Sequence, residues 1–515
     1  MMDMKRRDAL ARDIILEDIT SSKMNAEVLR RLRDNIIWED DNTLYIWEED
    51  DDYDDNDDEN EFIIREGDDL SYLGYFIGRN TSLGDLKILS LPQDRERVSG
   101  FIEGISYNRS LWSFIIQGIG TDVDVGLQNL CSFFRENNNL TDISLNHCEI
   151  GNEHARDLAL ALSQRQVKSL QLLGFSNNNL GDEGFADIVH ALWTQPQLEQ
   201  LFCSRNHIGR ISCEALGALM RERNSNLKVV YVPGNAIDDV GIQALVPGLC
   251  SSNNLEELTI SDPITAVGLR SLSPFLQSDN CHLRCLCVSL RLGDEEATAL
   301  ADALKGNKSL QLLNLPHHQD ENRRRNMTDA GWSAFSKLLC DTSSINNTYL
   351  SNHTLTRVGA PNGMDDTPPF VKDLLHMNAA AQKRNTMRNK EIDRQSLIRC
   401  KIFMSHPDLD MEPLFDYKLK LLPLVTGWFR KSIQFCGDEV GEWKESIPEL
   451  QSRELSAVYK FVHDMPLMIS DGYWTNVLNE SQTKKQRLQA RKRKLEMMIQ
   501  SVEENETFAL KRLRR

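Results

Sequence analysis

Between Leu170 and Asp239 the chain states one arrangement of apolar and polar positions three times. Leu170, Leu198 and Leu227 open the copies, 28 or 29 residues apart. Three and five positions on stand Leu173 and Phe175, Leu201 and Cys203, Val230 and Val232. Eight on comes an asparagine (Asn178, Asn206, Asn235), and ten on an aliphatic residue (Leu180, Ile208, Ile237). Alternation over the first six residues is the period of a half-buried strand. The second half changes period: Phe185, Ile188, Val189 and Leu192 fall at i, i+3, i+4 and i+7, as do Ile242, Leu245, Val246 and Leu249, and Ala297, Leu300, Ala301 and Leu304. That is the apolar stripe of a helix. Each copy therefore predicts a strand, a turn and a returning helix. The asparagine stands where the chain leaves the strand, and its amide can pair backbone groups of that turn.

The rule runs outward in both directions. Downstream it gives Leu255–Ile260, Leu283–Val288, Leu310–Leu315 and Ile345–Leu350; upstream, Leu140–Leu145, Leu111–Ile116 and Leu86–Leu91, about ten strands in all. The 35-residue step from Leu310 to Ile345 is assigned to a polar insert, Asp320–Asn326, read as an exposed loop. Outside the middle the asparagine gives way to Cys148, then Pro263 and Arg291. A repeat of this length and pattern is a leucine-rich repeat. The fold class is α/β: a horseshoe solenoid with a concave parallel sheet and convex helices. One repeat cannot bury its own apolar face, so neighbours stack, and helices are wider than strands, so the stack curves.

An array needs ends. Residues 1–47 read as an N-terminal helical segment, with Ala26, Leu29, Leu32 and Ile36 near helical spacing. Residues 48–61 (EEDDDYDDNDDENE) read as an acidic disordered linker, because like charges repel and cannot pack. The array occupies 62–358 and opens on a helix through Leu70, Leu73, Gly74, Phe76 and Ile77 that covers the first strand. Residues 359–388 are a linker that begins with the breaker-rich GAPNGMDDTPP. Residues 389–478 form a helical capping region with Ile392, Leu397, Ile398 and Ile402 apolar and Trp428, Phe429, Tyr459, Phe461 and Trp474 dense in aromatics. Residues 479–515 are a basic helical tail, with Leu488, Leu495 and Val502 seven apart.

The segments LSYLGYFIGRNTSL, FIEGISYNRSL, NNNLTDISL, LGDEGFADIVHALWTQPQLEQL and ITAVGLRSLSPFLQSDN resemble, in order and spacing, the large leucine-rich-repeat families of diatoms and related algae. The resemblance extends past the array to HPDLDMEPLFDYKLKLLPLVTGWFRK and RELSAVYKFVHDMPLM, and so covers residues 62–475. The repeats are also similar to the ribonuclease-inhibitor class, as their period suggests. These resemblances imply the solenoid and a helical segment behind it; they imply no established reaction. The array further resembles the repeat region of Ran GTPase-activating proteins. In that family an acidic segment follows the repeats, whereas here it precedes them, and no arginine matches the catalytic one.

Composition narrows the function classes. The net charge of −18 over 515 residues argues against a general nucleic-acid binder. The start, MMDMKRRDALARDIILEDITSS, has no long apolar core and no small-residue cleavage site, and no apolar run reaches the length of a membrane span. Eleven scattered cysteines read as reduced thiols, which points to the cytoplasm or nucleus. Lys484, Lys485, Arg491, Lys492, Arg493 and Lys494 resemble a nuclear localisation signal; a rival role for this tail is contact with the acidic stretch. No Gly-Lys dipeptide occurs, so there is no Walker phosphate loop, and GxGxxG, HExxH, GxSxG and the kinase signatures are missing. Cys281-His282, Cys285 and Cys287 lack the paired knuckles of a zinc site and read as strand-surface thiols. His317-His318 alternates faces, a poor chelate, and Asp182-Glu183 complements a helix dipole. No catalytic residue, cofactor or metal is expected.

What remains is the concave face, whose outward residues have no packing duty. Outward triplets on consecutive strands are Asp142, Ser144, Asn146; Leu172, Gly174, Ser176; Gln200, Phe202, Ser204; Val229, Tyr231, Pro233; and Glu257, Thr259, Ser261. Phe202 and Tyr231 hold equivalent positions on neighbouring strands, and aromatics are enriched at interface hot spots. Gln200, Phe202, Arg205, Val229, Tyr231 and Glu257 are therefore expected to centre an interface. The expected function is a monomeric, non-enzymatic scaffold that binds a protein partner there. The alternative is a Ran-GTPase-activating-like regulator of a small GTPase, and a nuclear RNA-binding role would rest on the tail alone.

Overall fold

The computed structural model describes residues 14–20, 22–36, 42–48, 60–118, 123–222, 225–261, 264–289, 292–315, 327–359, 367–384, 397–398, 401–402 and 405–406. The acidic stretch 49–59, the insert Asp320–Asn326, His317-His318, the aromatics from Trp428 to Trp474 and the basic tail lie outside them. The chain divides into two compact units: Met1–Leu338 with Thr354–Lys372, and Leu339–His353 with Asp373–Arg515.

The first unit is a leucine-rich-repeat solenoid around one parallel sheet. Its strands are β1 (Thr43–Glu48), β2 (Glu61–Ile64), β3 (Asp85–Ile88), β4 (Ser113–Gln117), β5 (Asp142–Asn146), β6 (Leu172–Gly174), β7 (Gln200–Phe202), β8 (Val229–Tyr231), β9 (Glu257–Ser261), β10 (Cys285–Ser289), β11 (Leu312–Asn314) and β12 (Arg357–Gly359). From β3 onward each strand lies beside the next in sequence, while β1 pairs with β3 and leaves β2 at the edge. The sheet is open rather than closed. Helices such as Gly181–Leu192 and Arg210–Arg221 return the chain between strands.

Six elements differ from the sequence reading. Glu61–Ile64, which begins inside the expected acidic linker 48–61, is a strand, and the strand expected at Leu86–Leu91 is led by Leu83 and spans Asp85–Ile88, with Leu89 exposed. Within the segment 1–47, expected to be helical, Thr43–Glu48 is a strand of the sheet. Ile345–Leu350 is a helix: Ser344 accepts from the Asn347 N–H at its N-terminus, and Ile345 and Leu350 face solvent. The last strand comes instead at β12, so the final step, Leu310 to Leu355, is 45 residues. The linker 359–388 contains a 16-residue helix, Pro369–Arg384. The first cap is also not the helix at Leu70. Helix Lys23–Asp34 carries the fully buried Asn25, which donates to the Ile63 carbonyl at 2.7 Å and accepts from the Ile63 N–H at 3.2 Å. One side-chain amide thus pairs both backbone groups of an edge residue that would otherwise template another strand.

The core is the inward row of every repeat. Leu173, Leu201, Val230 and Leu258 are each no more than 1% exposed, and burial of such a side chain is worth about 1.5–3 kcal/mol. Phe114, Phe133 and Phe134 pack together beneath β4, with ring centroids 5.4–6.0 Å apart.

Polar side chains close the turns. Asn178 accepts from the N–H groups of Cys148 (2.9 Å) and Ile150 (3.1 Å) in the preceding repeat, and donates to the carbonyls of Leu145 and Phe175. Asn235 does the same for Asn206, Ile208, Cys203 and Val232. The residue before each ladder position is left-handed: His147 (φ 53°), Asn177 (57°), Arg205 (52°) and Gly234 (71°). A second ladder at the helix exits has no counterpart in the sequence reading. Asn80, Asn108, Asn137 and Asn307 stand three residues before a leading leucine and accept its N–H. Each amide then donates to a carbonyl of the preceding turn: Leu32, Ile77, Asn108 and Leu276 respectively. In two repeats Gln195 and Arg165 supply the donor half alone: Gln195 donates to the Leu162 carbonyl at 2.9 Å, and Arg165 to the Phe134 and Leu140 carbonyls at 2.7 Å each.

In the second unit the ammonium of Lys401 is enclosed. It donates to the carbonyl of Leu339 (2.8 Å) and to Oδ1 of Asn378 (2.8 Å), and meets Nδ1 of His353 at 3.3 Å. Nε2 of His353 lies 3.2 Å from the Tyr349 carbonyl, which places the ring proton there and leaves Nδ1 as the acceptor. Three acceptors suit an ammonium, yet burial outweighs them and pulls Lys401 from 10.5 down to about 7, the nearby Cys340 pushing weakly the other way.

Two outcomes follow for stability. Asn178→Ala leaves buried amide and carbonyl groups unpaired and should cost about 3 kcal/mol in urea unfolding, whereas Ala at the exposed neighbour Asn179 should cost under about 0.5 kcal/mol. Between pH 7 and 10.5 unfolded Lys401 keeps a proton that the folded chain has released. Stability should therefore rise with pH across that window and fall as pH drops toward 7. In Lys401→Met this part of the slope should vanish; an unchanged slope in urea midpoints would refute the assignment.

Candidate protein-binding face

Strands β6, β7 and β8 are three residues long, so each turns its middle residue inward and offers its first and third to the open face. Pairing without stagger aligns these positions. Gln200, Val229 and Glu257 form one row, and Phe202, Tyr231 and Thr259 the next. Glu257 is exposed; Gln200, Phe202 and Val229 are half-buried.

The rings of Phe202 and Tyr231 lie side by side, centroids 5.9 Å apart and planes at 48°. Tyr231 remains 39% exposed, so the pair covers itself only in part. Arg205 sits beyond the strand end in the left-handed turn, exposed, with Nη1 3.4 Å from Oδ1 of Asn177. Five of the six expected residues thus fall on adjacent positions of β7–β9, and Arg205 stands at their rim. On the β6 side the third position is Gly174, where a Cβ would lie 2.6 Å from the Ser144 hydroxyl. The face is therefore low beside Phe202.

A charged border runs along the residues just before the strands. Glu199 pairs with Lys228 at 2.8 Å, and Glu256 with Arg284 at 3.6 Å, all four well exposed. Sequence reasoning counted only the outward triplets and passed over this row. Its signal was the residue following each leading leucine: Trp112, Thr141, Gln171, Glu199, Lys228, Glu256 and Arg284.

The chemical look-alikes resolve into structure. Cys285 and Cys287 are half-buried on β10; Cys285 Sγ accepts from Asn314 at 3.3 Å, and burial with the nearby Cys285 pushes Cys287 up to about 11. Such thiols stay protonated at neutral pH and are poor metal ligands. Cys281 is buried against Asn307 and Ser309, and among the described residues no group of three His, Cys, Asp or Glu side chains converges as a metal site. Asp182 does more than complement its own helix. It accepts from the N–H groups of Gly209, Ile211 and Ser212 and so caps the helix of the next repeat. Burial works to raise its pKa, but these bonds with Ser212, Ile211 and Gly209 hold the carboxyl below its usual range. Asp239 and Asp294 repeat the arrangement on Thr265 and Gly268, and on Thr328 and Gly331. Among the described residues no helix is long and apolar enough to cross a membrane.

No protein-family model matches the chain. Over 185 residues it is 29% identical to ribonuclease inhibitor of Sus scrofa, which covers 35% of this chain and 40% of that protein. Over 215 residues it is 30% identical to NACHT, LRR and PYD domains-containing protein 3 of Bos taurus, covering 39% of this chain and 20% of that one. The chain thus spans less than half the length of these curated relatives. Among solved structures it is similar to the yeast Rad7 and Elc1 complex, at 16% identity and a TM-score of 0.37 over 59% of this chain and 77% of that chain.

The turn at Arg205 permits a clean probe of the rim. Glycine relieves a left-handed conformation that costs a side-chain-bearing residue about 1 kcal/mol, offset by the flexibility it adds to the unfolded chain. Arg205→Gly should therefore leave the urea midpoint nearly unchanged. A loss above about 2 kcal/mol would mean that the guanidinium holds the fold rather than standing ready for a partner.

Proposed function

From the premise that this chain is a leucine-rich-repeat protein with ribonuclease-inhibitor-like repeats, we propose that it is a protein-interaction scaffold whose partner docks on the strand face, centred on Phe202 and Tyr231. The observation that carries this reading is the aromatic pair: two rings side by side on adjacent strands, with Tyr231 39% exposed. Gln200, Val229 and Glu257 flank the rings in register, and Arg205 supplies a cation at the rim. An aromatic centre within a polar border is the composition of a binding hot spot. The relative named ribonuclease inhibitor acts, by that name, on another protein, which supports the same class of role here. The scaffold works by binding alone and is not an enzyme.

The test compares proteins cross-linked in native lysate to the intact chain and to a Phe202→Ala/Tyr231→Ala variant shown by circular dichroism to be folded. Loss of specific proteins from the variant, by about tenfold or more for a true hot spot, is the expected result. A small GTPase among the proteins lost would favour the Ran-GTPase-activating-like alternative. Equal recovery by both chains would rule out the strand face as the interface centre.

A further inference from the structure

At the other end of the same face, four neighbouring strands place Thr43, Asp85, Ser113 and Asp142 in one register row. Asp85 is only 4% exposed. Its Oδ2 meets the ammonium of Lys87 at 3.2 Å and the Thr43 hydroxyl at 3.4 Å, but its Oδ1 is buried and has no hydrogen-bond partner. An unpaired buried carboxylate oxygen is costly. Asp142 stands two strands away, half-buried and without an ion-pair partner among the described residues. Burial pushes its carboxyl up, Thr141 pulls it down by a hydrogen bond, and the charge of Asp85 adds to the upward push. Lys87 is the cation beside this row, and it is already shared with Tyr45, whose hydroxyl lies 3.3 Å and whose ring centre 5.0 Å from it.

A flat aromatic borders the row. Trp112 precedes Ser113, is 43% exposed, and lays its indole across Gly84, where a Cβ would collide with Nε1. Two carboxylates with one answering cation among the described residues, one oxygen lacking a donor, and an exposed indole call for a planar cation. A guanidinium has five donors in a plane and stacks on indole faces, whereas an ammonium is a point charge.

We propose that the row Asp85–Ser113–Asp142, bordered by Trp112, receives an arginine side chain carried on a basic segment of a partner protein. The site is distinct from the Phe202–Tyr231 pair. Three strand spacings separate Ser113 on β4 from Gln200 on β7, roughly 14 Å. Residues 49–59 carry nine acidic side chains in eleven positions and compete for any basic peptide.

Fluorescence anisotropy of a labelled hexa-arginine peptide on the full chain tests this, at about 0.15 M salt so that distant charges are screened. Hexa-arginine should bind at least about fivefold tighter than hexa-lysine. Asp85→Asn/Asp142→Asn and Trp112→Ala should each weaken it by about fivefold or more, with Phe202→Ala/Tyr231→Ala binding as the intact chain does. Because that last variant leaves this site whole, the two readings stand or fall separately. Binding within about twofold of the intact chain in both the carboxylate and the Trp112 variants would overturn the proposal and assign the peptide to residues 49–59. Equal affinity for hexa-lysine would overturn it too, as would displacement of the peptide by millimolar calcium, which would make the row a metal-ion site. Should Asp85→Asn unfold the chain by circular dichroism, Asp142→Asn and Trp112→Ala decide the matter, since both residues reach solvent.

Discussion

A stack of short parallel strands must reverse direction twice in every repeat, and both reversals put backbone N–H and C=O groups where neither water nor a ladder can pair them. In this chain side-chain amides pair them, and they do so across the boundary between repeats. Asn178 holds the N–H groups of Cys148 and Ile150, and Asn108 holds the carbonyl of Ile77. The partner lies one repeat away, so no copy is complete alone and the array is stabilised as a whole. The aspartates at the helix starts obey the same logic, since Asp182 caps the helix that follows its own.

With the inward residues committed to packing and the turns to amide ladders, the outward strand positions carry no packing duty of that kind. Parallel register then decides which of them are neighbours. It sets Phe202 against Tyr231 and Asp85 in line with Asp142 through Ser113, residues that are about 29 and 57 positions apart in the chain. The two places differ in physical character. One gathers apolar ring surface with a polar border, and the other gathers carboxylate charge with one exposed indole.

Burial of charge is resolved in different ways across the molecule. Asp182 collects enough N–H donors to stay ionised in spite of burial. Arg165 and Lys401 are surrounded by acceptors that carry no charge, and burial lowers the one to about 10 and the other to about 7. Asp85 has a cation on one oxygen and nothing on the other. That imbalance marks it out from the structural carboxylates.

The sequence by itself determined the repeat, because burial of one strand face imposes a period of two and burial of one helix stripe a period of 3.6, and both are written in residue type. Eight of the ten expected strands lie where the pattern put them, the one expected at Leu86–Leu91 is led by Leu83 instead and leaves Leu89 exposed, and the asparagine of the strand exit shows its purpose through its fixed offset. The outward positions were legible for the same reason, Phe202 and Tyr231 included. Other features were decided only by tertiary structure. Ile345–Leu350 carries strand-like residues, yet Ser344 starts a helix there and the chain reaches β12 later. Thr43–Glu48 has no repeat to announce it and is a strand because β3 and β2 flank it. The enclosure of Lys401 by Leu339, His353 and Asn378, and the solitary oxygen of Asp85, depend on residues far apart in sequence that packing alone brings together. Periodicity records which face of an element is buried; it carries no record of which distant polar group meets which, and that is where the candidate chemistry of this chain lies.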